Sequence, residues 1–237
     1  MSPSFLRSIR VAMLAALVVG LVTAACGSDE AFDVSDVDAA DVLDRSAERM
    51  EALSSFAFEV QHENGATAIV GGIQMVSATG AVQGTDRMQL DIQARFANTN
   101  IETGIVILPG EGYLQNPITG RWQRQGGMDI SEFFDPARGV TGLMRGTSSV
   151  EVVAGDTVDG VSTYVLEAQL DSGDLGVFVG NAPAGREVTA RIWIGMDDLL
   201  VRRIEVNGPL TPGDAENVVR RLILRDFDSV VEITAPQ

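Results

Sequence analysis

The chain has 237 residues, of which 45% are hydrophobic, and it carries a formal net charge of −16 with a pI near 4.3. This acidity argues against binding to nucleic acid and against electrostatic adhesion to anionic lipid, since both need a basic surface. A single cysteine excludes an internal disulfide and a cysteine metal cluster.

The first 25 residues have the layout of a cleaved export signal. Arg7 and Arg10 precede an apolar run at residues 11–22, and three small residues stand before Cys26. A transmembrane anchor is the weaker interpretation, because this run falls well short of the roughly 20 residues that span a bilayer. Residues 1–25 are therefore predicted to be a signal peptide.

Cys26 directly follows this signal. The segment resembles a bacterial lipobox, in which the cysteine receives a diacylglyceryl group and becomes the mature N-terminus, although Thr23 stands where Leu, Val or Ile is usual. Two acyl chains anchor a protein stably where one does not. We expect lipidation at Cys26 and an anchored domain on the extracytoplasmic face of the cell membrane. Ordinary cleavage after Ala25, leaving a free thiol, is the alternative.

Residues 26–38 are acidic and small and show no sustained period, which is typical of a flexible tether. A helix is predicted at 39–53, where apolar residues follow one stripe and either Asp38 or Asp41 can cap the first turn. The folded domain is expected to occupy residues 39–237.

After the helix the apolar period changes to two, which predicts strands. In the clearest strand, 87–96, one face carries Met88, Leu90, Ile92, Ala94 and Phe96, and the other face is polar. Other strands are predicted at 56–61, 101–108, 112–115, 121–125, 150–154, 162–170, 186–195, 200–207, 218–226 and 230–234. Hairpin connections are predicted at 116–120 and Asp159-Gly160, with a turn at Asn64-Gly65.

No helix alternates regularly with these strands, so the sheet is expected to be antiparallel and mostly sequential. Two apolar insertions interrupt the succession of strands. Residues 129–145 are predicted to form one or two short helices, and residues 175–179 are a second apolar piece.

Four stretches, in this order, resemble the LppX/LprA/LprF/LprG lipoprotein family of actinobacterial envelopes, whose fold is similar to that of the LolA/LolB lipoprotein carriers. They are DVLDRSAERMEALSSFAFEV from Asp41, DGVSTYVLEAQL from Asp159, VTARIWIGMDDLLVRRIEV from Val188 and LRDFDSVVEITAP from Leu224. The resemblance extends over residues 41–236, and its motifs are structural rather than catalytic.

The resemblance implies a mainly β (α+β) fold, in which a curved antiparallel sheet forms a half-barrel and helices cover its concave face around an apolar cavity. It also implies binding of an acylated lipid or glycolipid and its movement across or within the envelope, with a transporter partner left unidentified. The expected cavity residues are Phe133, Phe134, Val140, Leu143, Met144, Leu175, Phe178, Met50, Leu90 and Ile92.

Two alternatives stay open. An acyl chain of ~16 carbons left in water costs on the order of 12 kcal/mol at about 0.8 kcal/mol per CH₂, so a carrier must enclose it. The same aliphatic stripes would also fill a solid core, and the pattern alone favours core over cavity. A function of another class is an envelope sensor or interaction module that uses this fold to bind a protein or a lipoprotein.

No enzyme, metal site or cofactor is expected. His62 is the sole histidine and no G-x-S-x-G elbow accompanies it, which argues against a Ser-His-Asp triad. Acidic pairs such as Asp197-Asp198 lack the ligand spacing of a calcium loop. Arg202-Arg203 and Arg220-Arg221 put one guanidinium on each sheet face, where pairing with carboxylates is favoured over contact with a lipid phosphate or glycan.

Overall fold

The computed structural model describes residues 32–68, 73–97, 99–126, 144, 147, 149–175 and 183–237. Within these ranges, no helix has the length and apolar character needed to cross a bilayer. Of the two predicted insertions, 129–145 and 175–179, only Met144 and Leu175 belong to the described residues.

The predicted first helix is confirmed as α1, Ala39–Glu51. The Asp38 carboxylate accepts hydrogen bonds from the backbone N–H groups of Ala40 and Asp41 at 3.0 and 3.2 Å. It thereby satisfies donors that have no partner inside the helix. One face of α1 is buried against the core, and its residues are Val42, Leu43, Ser46, Ala47 and Met50.

The strands of the described ranges form one antiparallel sheet. They are β1 Ser55–Glu63, β2 Thr67–Ala68, β3 Gln74–Gln83, β4 Arg87–Phe96, β5 Thr99–Leu108, β6 Glu111–Gln115, β7 Trp122–Gln125, β8 Ser149–Val158, β9 Val161–Asp171, β10 Glu187–Gly195, β11 Val201–Asn207 and β12 Val219–Arg225. The order is β7-β6-β5-β4-β3-β1-β12-β11-β10-β9-β8, with β2 paired to β3 alone. The sheet is open, because β7 and β8 are its edges.

The sheet curves around α1. A flat sheet of this many strands, spaced about 4.8 Å apart, would spread over roughly 48 Å, whereas a helix of 13 residues is only about 20 Å long. Yet Leu114 of β6 and Val150 of β8 pack against the same continuous core as the face of α1. The expected half-barrel with a helix on its concave face is therefore confirmed.

The predicted alternation in β4 is also confirmed. Met88, Leu90, Ile92 and Ala94 are buried, and Gln89, Asp91, Gln93 and Arg95 between them are exposed. Phe96 departs from the pattern, since it is 48% exposed. It is the last residue of β4, next to the turn at Ala97, where the strand leaves the core.

Strand β3 has no counterpart in the predicted elements. Its inward positions include Ala78 and Gly80, so the apolar alternation is weak, and its ladder with β4 has an irregularity between Met75 and Ser77. A Cβ atom at Gly80 would lie 2.6 Å from the Phe58 ring of β1 and 2.4 Å from the carbonyl oxygen of Gln89. Small residues are needed here because a ring from the neighbouring strand fills the space.

The predicted strand at 230–234 is wrong. Asp226 and Asp228 adopt positive φ angles of 55° and 52° and turn the chain away from β12, which already pairs with β1 and β11 on its two sides. The Asp228 carboxylate then accepts hydrogen bonds from the backbone N–H and the hydroxyl of Ser54, both at 2.8 Å. The segment continues without strand pairing and buries Ile233, which is 1% exposed.

Both predicted hairpin connections are confirmed. Asp159 and Gly160 have φ angles of 50° and 81° and join β8 to β9 in the two-residue turn that suits the twist of the strands. Asn116 caps the longer connection between β6 and β7, since its side-chain oxygen accepts from the N–H groups of Ile118 and Thr119.

Candidate functional site

An apolar cleft lies on the inner face of the sheet where β1, β12 and β11 run side by side. It encloses about 510 Å³ of space free of atoms, part of which is open to solvent. The part of it that water-sized molecules can occupy is about 60 Å³, several times the roughly 10–15 Å³ that one water needs. The residues of this inner cleft are Val60, His62, Thr67, Met75, Leu175, Ile204, Val206, Leu210, Arg220, Arg221 and Leu222.

Strand register explains why these residues meet. Val60 faces Leu222 across the β1–β12 ladder, and Leu222 faces Ile204 across the β12–β11 ladder. One step further along, His62 faces Arg220, and Arg220 faces Val206. Because side chains at alternate positions share a face, all of these point to the inner side of the half-barrel. The cleft therefore has an aliphatic floor with two polar side chains at one end.

The Arg220 guanidinium is buried at this polar end, with the residue 7% exposed. One Nη atom donates to the Asp214 carboxylate at 2.8 Å, and Nε donates to the Thr67 hydroxyl oxygen at 3.3 Å. Asp214 also accepts hydrogen bonds from the backbone N–H groups of Leu210 and Thr211, both at 2.9 Å. Asp214 thus fixes the β11–β12 connection against the cleft.

Asp214 stays ionised in this setting. Burial acts to raise the pKa of its carboxyl group, but the two backbone donors and the Arg220 guanidinium outweigh that effect and hold the pKa below its ordinary value. Arg220 and Asp214 therefore form a buried ion pair whose charges cancel.

His62 lies within β1 and is half-buried beside this ion pair. Its Nδ1 is 2.9 Å from the carbonyl oxygen of Val76, so Nδ1 must carry the proton, and Nε2 can then accept from the Thr67 hydroxyl at 2.7 Å. Burial lowers the pKa of His62, and the nearby Arg220 lowers it further, against the opposing effects of the Val76 carbonyl and Asp214. The imidazole is therefore neutral near pH 7.

The lowered pKa makes stability depend on pH. Above pH 6.5, the ordinary pKa of histidine, the ring is neutral in both the folded and the unfolded state. The contribution of the neutral ring to the free energy of unfolding is then fully present. As the pH falls through that value, the unfolded chain takes up a proton that the folded protein resists, so stability is lost until the folded pKa is passed. We expect His62→Gln, whose amide offers one donor and one acceptor but takes up no proton, to lose less stability between about pH 7.5 and 5.5. Urea titrations at both pH values measure this difference, and equal losses in the two proteins would refute it.

The predicted cavity residues fall into two groups. Met50, Leu90, Ile92, Met144 and Leu175 are all buried in one continuous hydrophobic core. Of these five, Leu175 lines the inner cleft, and the other four belong to the hydrophobic core without lining the cleft. The remaining predicted residues lie outside the described residues: Phe133, Phe134, Val140, Leu143 and Phe178.

The sequence analysis singled out His62 and Arg220-Arg221, but not the aliphatic cleft residues on β1, β11 and β12. Val60, Ile204 and Leu222 belong to predicted strands, and their alternation marks them as inward-facing. What no local pattern reveals is that β1 pairs with β12, from the opposite end of the domain. Asp214 gave no signal, because it lies in an irregular connection.

The arginine pairs behave largely as expected. Arg221 belongs to the cleft lining through its position between Arg220 and Leu222, but its side chain lies on the outer side of β12 and pairs with Glu63 and Glu205, each at 2.9 Å. Burial acts to lower its pKa, but hydrogen bonds to the two carboxylates raise it above the ordinary value.

Arg202 pairs with Asp198. Arg203 instead places its guanidinium over the Trp193 ring, 5.0 Å from the centroid. Among the described residues, no cluster of His, Cys, Asp or Glu side chains could hold a metal ion.

Comparison with known proteins adds a family to this geometry. The model of the LppX_LprAFG lipoprotein family matches residues 38–236, which is nearly the whole domain. The chain belongs to the LppX_LprAFG lipoprotein family.

Individual relatives are distant in sequence. The lipoarabinomannan carrier protein LprG of Mycobacteroides abscessus is 20% identical over 193 residues, covering 80% of this chain and 82% of the relative. The crystal structure of LprF from Mycobacterium bovis aligns with a TM-score of 0.65 at 16% identity, over 83% of this chain and 96% of that one. Mycobacterium tuberculosis LppX aligns with a TM-score of 0.60 at 15% identity, over 82% and 97%. At these identities the two structures support the fold.

Proposed function

We propose that this lipoprotein binds the acyl chain of a lipid or glycolipid in the inner cleft and carries it across or within the cell envelope. The observation that carries the proposal is the cleft itself, an aliphatic hollow on the concave face that the surrounding core side chains leave unfilled. A close-packed core has few voids larger than a water molecule. A cleft of this size therefore favours a ligand-binding role over a purely structural one.

The chemistry of the lining suits an acyl chain. Val60, Ile204, Val206 and Leu222 offer continuous aliphatic surface, and removing each CH₂ group from water contributes about 0.8 kcal/mol. Part of the cleft is open to solvent, so a polar headgroup can stay hydrated while the chain is enclosed. The family membership and the relative that is named as a lipoarabinomannan carrier support the same proposal.

We further propose that Cys26 carries the lipid anchor and that residues 26–38 tether the domain to the extracytoplasmic face of the cell membrane. The acidic composition leaves the domain no basic surface for adhesion to anionic lipid, so retention depends on the anchor. A tethered carrier samples the membrane surface within reach of the tether. This arrangement suits a protein that exchanges lipid with a membrane or with an envelope transporter.

Uptake of a fluorescent acyl lipid by the purified protein, after bound lipid has been removed, tests the proposal. We expect saturable uptake that approaches one lipid per protein, because the proposal places one acyl chain in the inner cleft. A well-folded protein that takes up no acyl lipid would contradict the carrier function. That result would favour the interaction module.

A further inference from the structure

One polar group of the inner cleft lacks a partner. Arg220 has five N–H donors, of which Nε and one Nη serve Thr67 and Asp214. The other Nη atom, Nη1, is fully buried and has no hydrogen-bond partner among the described residues. A buried donor without an acceptor is costly, and a donor of a charged group especially so. The side chain is 7% exposed and lines the cleft.

The surroundings define what this donor can bind. The other residues that line the cleft are aliphatic or have polar groups that are already engaged, as Thr67 is by His62 and Arg220. Because Nη1 has almost no accessible surface, a ligand oxygen reaches it only when a neighbouring side chain shifts, and a ligand in the cleft that does so supplies the missing acceptor. Its acceptor atom would have to lie beside the aliphatic floor, which is where the first carbons of an acyl chain would lie.

Charge distinguishes among acceptors. Arg220 is already neutralised by Asp214, whose side chain is 9% exposed. A carboxylate or phosphate at Nη1 would lie close to the Asp214 carboxylate, and two like charges repel strongly when buried. A neutral acceptor meets the unpartnered donor without this repulsion. The ester carbonyl oxygen is the neutral acceptor that directly adjoins an acyl chain.

We propose that Nη1 of Arg220 donates a hydrogen bond to the ester carbonyl oxygen of a neutral acylated ligand. The inner cleft thereby selects an esterified acyl chain over an ether lipid and over a free fatty acid. The inference rests on the proposed function, because it names the chemical group that the acyl-binding cleft recognises.

Three lipids with chains of matched length test it. Palmitoylglycerol, hexadecylglycerol ether and palmitate are each used to displace the fluorescent acyl lipid from the purified protein. The ether lacks only the carbonyl group, and palmitate replaces the ester by an anion. We expect the ester to displace at a concentration about tenfold lower than the ether, which is the effect of one hydrogen bond to a charged donor. Palmitate should be no better than the ether.

A variant pair assigns the effect to Arg220. The double variant Arg220→Met/Asp214→Asn leaves no buried carboxylate unpaired. In this variant, the ester and the ether should displace the fluorescent lipid at about the same concentration. Arg225→Met is the matched control, because Arg225 lies on the outer face of the same strand and pairs with Glu59 at 3.2 Å. The control should keep the preference for the ester. Loss of the preference in the control as well would overturn the assignment to Arg220.

The wild-type protein decides the inference even where a variant fails to fold. Equal displacement by ester and ether overturns the proposed hydrogen bond and leaves the carrier function standing. If palmitate displaces the fluorescent lipid at the lowest concentration, the cleft contains an anion site, and the proposed hydrogen bond to an ester carbonyl is overturned as well. Absence of any acyl-lipid uptake overturns the carrier function together with the inference.

Discussion

Replacing Leu90 by Asp will lower the free energy of unfolding by about 3–5 kcal/mol, the range for burying an unpaired charge. Leu90 is 9% exposed and lies on the inner face of β4, between Gly80 of β3 and Ile105 of β5. Neither neighbour offers a side-chain donor or a positive charge. The carboxylate must therefore be buried unpaired or take up a proton, and both cost stability.

The adjacent residue provides the control. Gln89 is exposed on the outer face of the same strand, so Gln89→Asp should change the free energy of unfolding by about 0.5 kcal/mol or less. Urea denaturation of the two variants and the parent measures both effects. Equal losses in the two variants would mean that the inner and outer faces of β4 are assigned incorrectly.

Replacing Cys26 by Ala will release the protein from the membrane. Two acyl chains, at about 0.8 kcal/mol per buried CH₂, make anchoring effectively stable, whereas a short apolar segment does not. We expect nearly complete loss of palmitate incorporation and of membrane retention. Folding should be unaffected, because the hydrophobic core of the described residues begins at Val37, eleven residues after Cys26.

Metabolic labelling with palmitate, followed by membrane fractionation, measures both quantities. Ser28→Ala is the matched control in the same tether and should keep label and retention. Equal labelling of the parent and Cys26→Ala would contradict the assignment of Cys26 as the lipidation site. Absence of label from both proteins would favour ordinary cleavage after Ala25 and a free thiol at Cys26.

Local pattern predicted most of the fold. The alternation around Leu90 and the turn residues Asp159-Gly160 are local signals, and the structure confirms both. Strand β3 escaped prediction because Gly80 packs under Phe58 of another strand. The false strand at 230–234 has the right composition, but β12 already has a neighbour on each side. Both failures arise from contacts between residues far apart in sequence.

The candidate site was less predictable than the fold. Alternation places one member of Arg220-Arg221 on each face, but the inward member is known only once Leu222 and Leu224 are seen in the core. The ion pair with Asp214 depends on an irregular connection and on the β1–β12 pairing, neither of which leaves a periodic signal. Sequence thus predicted the apolar face but not its buried polar end.

Acyl-lipid uptake by a cleft-filling variant tests the carrier function most directly. Val60 is half-buried on the cleft floor, so Val60→Trp should fill empty space, change the free energy of unfolding by less than about 1 kcal/mol and displace two or more CH₂ groups of a bound chain. At about 0.8 kcal/mol per CH₂, uptake should weaken about tenfold. Gln61→Trp, on the opposite face of β1, should take up lipid like the parent. Unchanged uptake by a folded Val60→Trp protein would contradict acyl binding in the inner cleft.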